Sequence, residues 1–223
     1  MESGTDLKRA FRDTLPVLAG YVFLGFAFGL LMISKGYPAW YPIAMSISIY
    51  SGALEYAAVP LVAGLLNMLS SFVMGLLLSV RHLFYGIPVM EKYSRAGKEK
   101  PFLIFGLTDE TFSLLSTRGD CSRTYMTAVT GLNYLYWNLG TALGALLGTL
   151  LPIAAEGLDF ALTALFLVML LEQMKTKDGV IGGVTGIACA AAALALFGAE
   201  NLVPASICMM VPILLLAKRR DEA

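Results

Sequence analysis

TLPVLAGYVFLGFAFGLLMIS, residues 14–34, is a run of 21 uncharged residues between Asp13 and Lys35. The hydrocarbon core of a bilayer is about 30 Å thick and takes roughly 20 apolar residues of helix to cross. The run therefore predicts a membrane span, and its full length argues against a cleaved secretory leader, whose apolar region is shorter. The pattern recurs along the chain. Glu55 and Arg81 bracket 25 uncharged residues, Arg123 and Glu156 bracket 32, and Asp178 and Glu200 bracket 21. The sequence predicts an all-α polytopic membrane helix bundle, a single transmembrane domain over residues 1–223.

Composition agrees. Mean hydropathy is +0.72 and charged residues make up 14% of the chain, against about 25% in soluble domains. Net charge is zero, and the sequence has no Lys/Arg-rich patch of the kind that binds nucleic acid. One histidine and three scattered cysteines without a CxxC pair predict neither a metal site nor a cofactor. Cys121, Cys189 and Cys208 read as buried core thiols, and the methionines as core filler. The sequence has no HExxH and no Gly-x-Ser-x-Gly elbow, so an intramembrane hydrolase is not expected.

Lys and Arg set the orientation, since cytoplasmic flanks are enriched in both. Lys8, Arg9 and Arg12 place the N-terminus inside, and Lys218, Arg219 and Arg220 do the same for the C-terminus. Spans are expected at 14–34, 66–90 (ending at Pro88), 125–151, 158–174, 179–198 and 202–217. The basic stretch EKYSRAGKEK (91–100) then lies inside only if residues 39–63 enter and leave the membrane on the same side. The same holds for 101–117. About six full spans plus two broken or re-entrant segments are therefore expected. Ser51-Gly52, with Pro42 and Pro60 near the ends, marks the first break.

Charged groups at membrane depth are expensive and are candidate functional residues. Glu55 follows the Ser51-Gly52 break and suits a substrate ammonium or a proton. Arg81 and His82 close the long apolar run, and Arg81 suits a carboxylate. Thr108 reads as a helix N-cap with Asp109 and Glu110 in the first turn, at the centre of a short apolar segment. Asp159 and Glu172 read as helix caps. Glycines four apart (Gly25/Gly29, Gly140/Gly144/Gly148, Gly182/Gly186) predict close helix packing, internal first, with a docking subunit as the alternative. Trp40, Tyr41, Tyr134, Tyr136 and Trp137 read as interfacial aromatics.

The motifs YSGALEYAAV (50–59), SVRHLFYG (79–86), GLTDETFSLL (106–115) and LDFALTALFLVMLLEQ (158–173) resemble the AzlC family, the large subunits of bacterial branched-chain amino-acid exporters. The resemblance runs from about Phe11 to Leu216. It implies an exporter of valine, leucine, isoleucine and methionine in the bacterial inner membrane, working with a small AzlD-type membrane subunit. The family often has Gln where this chain has Glu55, and Asn where it has Ser79. Alternatives are a transporter of another small amino acid or organic anion, or a channel or membrane scaffold. Export against a gradient needs a coupled ion, and a buried carboxylate suits a proton.

Overall fold

The computed structural model describes residues 2–62, 81–119, 121–150, 177–198 and 202–221, with single or paired positions between them (72, 75–76, 78–79, 160, 163–164, 167, 170–171 and 174). Among these residues every regular element is helical. The elements are α1 (Glu2–Ser34), α2 (Trp40–Ile49), α3 (Gly52–Val62), α4 (Arg81–Ser94), α5 (Lys100–Phe105), α6 (Asp109–Ser116), α7 (Arg123–Leu150), α8 (Lys177–Phe197) and α9 (Leu202–Asp221), with a 3-10 turn at Gly97–Glu99. Much of the expected spans 66–90 and 158–174, with Asp159 and Glu172, lies outside the described residues. Where α4 is described it continues through Pro88 to Ser94, so Pro88 does not end it as expected.

Helices α1 and α7 form the spine. At 33 and 28 residues they are about 50 and 42 Å long at 1.5 Å per residue, enough to cross a bilayer. They run parallel: Asp13 meets Tyr125 near their starts, and Gly29 meets Ala145 near their ends. The glycine spacing sets their separation. A Cβ on Gly140 would lie 2.5 Å from the Val22 carbonyl oxygen, and one on Gly29 would lie 2.6 Å from the Ala145 nitrogen. The two backbones touch, as small residues at this spacing permit. Gly25, Gly29, Gly140 and Gly144 thus serve internal packing, whereas Gly182 on α8 has no atom of the described residues within 4 Å of its Cβ position.

Along α7 polar groups are buried among the apolar ones while leucines face outward. Thr130, Asn133 and Thr141 are fully buried, while Leu135, Leu139, Leu143, Leu146 and Leu150 are exposed. Those leucines recur at helical spacing and line one face, an arrangement that suits hydrocarbon as the surrounding solvent. Gly4–Ser34 and Gly179–Phe197 are, among the described residues, the helices both long and apolar enough to cross a membrane.

Two broken helices pack against the spine from opposite ends. Residues 40–62 descend as α2 and return as α3. The Tyr37 hydroxyl, just past the end of α1, donates to the Val62 carbonyl at 2.7 Å, so both ends of this hairpin lie at the far end of α1. Its apex meets the middle of α7, where Ser46 bonds Asn138 at 2.6 Å and Tyr134 donates to the Ile47 carbonyl at 3.0 Å. The chain turns at Tyr50, whose φ of 46° is left-handed, one residue before Ser51-Gly52. Pro42 sits in the first turn of α2, where it is tolerated.

The second hairpin, α5 and α6, enters from the other end. Glu99 at its start pairs with Arg123, and Arg118 past its end pairs with Asp13. The Lys92 ammonium donates to the carbonyls of Leu115 (2.6 Å) and Arg118 (2.5 Å), a cationic cap on the C-terminus of α6. The basic stretch 91–100, the linker before α7 and the start of α1 therefore share one end of the molecule. Gly106 lets this apex pack closely on α7, because a Cβ there would overlap the Thr130 methyl. The two apices meet: the Tyr50 ring lies 6.0 Å from that of Phe105, and the Tyr134 ring contacts both.

Two expectations are corrected. Of the cysteines only Cys189 is buried; Cys121 is half-buried and Cys208 exposed, on an α9 face that the described residues do not cover. Tyr136 and Trp137 are core residues, 4% and 3% exposed, because they sit mid-helix under the hairpins. Trp40, at the start of α2, is 65% exposed.

Candidate functional site

Where the two breaks meet, a half-open cavity of about 50 Å3 lies between α1, α7 and the hairpin apices, with His82 of α4 at its side. A single water needs roughly 10–15 Å3 by this kind of measure, so the cavity holds a few waters. The first turn of α3 enters it through Ser51, Gly52 and Ala53, and that of α6 through Thr108, Asp109 and Glu110. Two half-helix N-termini thus converge from opposite ends of the molecule on one small cavity with a mixed, mainly apolar wall.

At each apex an aromatic donor from the spine holds the acid next to the helix break. From α7, the Trp137 indole N–H lies 3.1 and 3.2 Å from the two Glu55 carboxylate oxygens, and the Ser51 backbone N–H donates to Oε1 at 3.1 Å. From α1, the Tyr21 hydroxyl donates to Glu110 Oε2 at 2.5 Å and lies 2.8 Å from Thr108 Oγ1. The Tyr21 and Trp137 rings meet edge-on, 5.6 Å between centroids. Behind α6 the network continues: Thr108 Oγ1 accepts from the Thr111 backbone N–H as an N-cap, and Asn133 donates to Thr111 Oγ1 at 3.0 Å.

Burial separates the two glutamates. Glu55 is 0% exposed and does not line the cavity, because Trp137 and the Ser51 N–H hold its carboxylate against α7. No described basic side chain forms an ion pair with it. This differs from the expectation of a carboxylate facing substrate. Glu110 is exposed to the cavity, and Asp109 beside it is half-buried. Glu110 and Asp109 are therefore the acids that border the cavity.

The remaining candidates divide. His82 lines the cavity, with Nδ1 3.2 Å from the Ser79 carbonyl and its ring edge-on to Tyr85. Arg81 opens α4, and its side chain lies outside the described residues. Sequence reasoning passed over Tyr21 and Tyr50 and read Trp137 as an interfacial aromatic. The available signal was depth: Tyr21 and Trp137 each lie near the middle of an uncharged run, too far from its ends for an interfacial aromatic. Among the described residues no group of His, Cys, Asp and Glu is arranged to hold a metal ion.

A protein-family model described as "AzlC protein" matches residues 16–151. The chain is 38% identical to the branched-chain amino acid transport protein AzlC of Bacillus subtilis (strain 168), over 97% of this chain and 87% of that protein. It is 31% identical to an uncharacterized membrane protein of Helicobacter pylori (strain 26695), over 96% of both chains. It is 29% identical to the inner membrane protein YgaZ of Escherichia coli (strain K12), over 79% of each. No solved structure matches it.

Proposed function

The chain belongs to the AzlC family, and from that premise we propose that it is a secondary transporter that exports branched-chain amino acids across the bacterial inner membrane. The observation that carries this reading is the cavity between two opposed helix breaks, with acids at one edge and an open helix N-terminus at the other. Paired half-helices at membrane depth are a recurring way to hold a small charged substrate. A zwitterion needs an anionic and a cationic partner close together, and this cavity offers both.

In this reading Glu110 and Asp109 take the substrate ammonium, with Tyr21 fixing the Glu110 carboxylate. A proton competes with the ammonium for the same acids, so release of one accompanies binding of the other, which is antiport. Glu55 holds the first hairpin rather than the substrate. Selectivity among valine, leucine, isoleucine and methionine is loose, because one methylene in an apolar pocket discriminates by only about 1–3 kcal/mol. The present cavity takes a few waters, so binding requires a hairpin apex to move aside.

The two hairpins act as re-entrant segments between about six full spans, both termini cytoplasmic. Family resemblance supports a small AzlD-type membrane subunit as partner. Gly25, Gly29, Gly140 and Gly144 are occupied with the α1–α7 contact, and the face of α8 at Gly182, open among the described residues, is where this reading docks it. Valine efflux from preloaded cells, with and without that subunit, tests the assignment: saturable efflux that needs both chains is expected, and conduction without saturation or counterflow would mean a channel instead.

A further inference from the structure

We infer that α4, α5 and α6 form the moving gate of this protein, and that the Asp13–Arg118 ion pair latches it shut at the inner end. This rests on the export reading above, in which substrate loads from the cytoplasm and a hairpin apex moves to admit it. The two hairpins are held differently. Both halves of the first are bonded to the spine. In α2, Ser46 and the Ile47 carbonyl bond Asn138 and Tyr134 of α7. In α3, Glu55 accepts from Trp137 of α7, and the Tyr56 hydroxyl donates to the Leu24 carbonyl of α1 at 2.8 Å.

The second hairpin is tied along its length to α4 instead. Phe112 of α6 stacks on Tyr85 of α4, 4.9 Å between ring centroids and 19° between planes. Lys92 of α4 donates to the carbonyls at the end of α6. After Lys100, α5 has only apolar side chains, and its Leu103 shares an apolar cluster with Val89 and Tyr93 of α4 and Val129 of α7. Apolar contact is non-directional, so the face against α7 can slide while the stack and the lysine cap keep α4, α5 and α6 together.

Directional contacts between this body and the spine sit at its two ends. At the cavity, Tyr21 bonds Glu110 and Asn133 bonds Thr111. At the inner end there are two ion pairs among the described residues. Arg123 and Glu99 are 51% and 35% exposed, and a pair so open to water is worth little. Arg118 and Asp13 are 25% and 14% exposed. The Tyr125 hydroxyl donates to the same Asp13 oxygen at 2.8 Å, and the Arg118 guanidinium lies 4.8 Å over the Tyr125 ring. This pair therefore ties the foot of α6 to α1 and α7 at once. Past it, a Cβ on Gly119 would meet no described atom within 4 Å, so the joint to α7 is free to bend. A half-open polar cavity of about 290 Å3, bordered by Arg9, Arg118 and Tyr125, leaves room for the foot to swing.

The test reads access rather than transport. In a background without Cys121, Cys189 and Cys208, Ser51→Cys places one thiol on the wall of the central cavity. A membrane-impermeant thiol reagent is then applied to intact cells or to inside-out vesicles. Asp13→Asn and Arg118→Gln should each speed labelling from the cytoplasmic face several-fold, up to about tenfold, the scale of one hydrogen bond between charged groups. Labelling from outside should not change. Ser46→Ala, which frees a tie of the first hairpin, should not speed labelling from the cytoplasmic face. Unchanged cytoplasmic-face labelling in both latch variants, equal acceleration from both faces, or acceleration in Ser46→Ala alone would overturn the gate. Latch-dependent labelling from the cytoplasmic face in a protein that transports no amino acid would uphold the gate and remove the export assignment instead.

Discussion

Glu55 Oε1 accepts from both the Trp137 indole and the Ser51 backbone N–H, each at 3.1 Å. One oxygen on a fully buried side chain thus joins α7 to the cap of α3. An amide oxygen in the same place satisfies both donors, which gives a physical reason why Gln and Glu both suit this position.

Glu55→Gln should therefore fold like the wild type. Glu55→Ala leaves two buried donors without an acceptor, at about 1–3 kcal/mol for each, and should melt well below it. Thermal unfolding in detergent compares them. Equal melting of the alanine variant and the wild type would contradict the anchoring role.

The α1–α7 contact predicts a second asymmetry. Gly144→Val drives a side chain into the Phe26 backbone, whereas Gly182→Val meets open space among the described residues. Overpacking of a tight contact costs about 1–3 kcal/mol or more. Gly144→Val should lower the melting temperature and Gly182→Val should not. If the small subunit docks on α8, Gly182→Val should instead reduce co-purification of that subunit.

Two same-end hairpins make a topology prediction. In a background without Cys121, Cys189 and Cys208, cysteines at Gly36 and Val62 should react with a membrane-impermeant thiol reagent from outside the cell. Cysteines at Lys98 and Gly119 should react only after the inner face is opened. Labelling of Gly36 and Val62 from opposite faces would mean that residues 40–62 cross the membrane, against the Tyr37–Val62 contact.

Much of this arrangement was legible in the sequence. The basic stretch 91–100 required an even return, and Ser51-Gly52 and Thr108-Asp109-Glu110 marked where the chain turns back. What was not legible is which groups meet. The sequence located Glu55 and Glu110 at depth but could not tell a carboxylate sealed under an indole from one open to a cavity, because that difference depends on Trp137 and Tyr21, far along the chain. Nor could spacing show that Tyr50 rather than Gly52 adopts the left-handed turn, since a tyrosine there is held by its ring contacts with Tyr134 and Phe105 against its own backbone preference.

Tyr21→Phe removes the donor to Glu110 and leaves the carboxylate free to reorient. The variant should fold, because Phe keeps the ring contact with Trp137. The KM for valine should rise several-fold while the maximal rate changes less, as expected when a positioning contact to bound substrate is lost. A fall in maximal rate at unchanged KM would place Tyr21 in the moving step instead.

The most direct test is efflux of preloaded radiolabelled valine from cells that carry the small membrane subunit, with and without an imposed proton gradient, for wild type, Glu110→Gln and Glu55→Gln. Proton-stimulated, saturable efflux is predicted for the wild type and for Glu55→Gln. Glu110→Gln should lose both the stimulation and most of the flux. Glu110→Gln efflux that matches the wild type and still responds to the proton gradient would contradict the account.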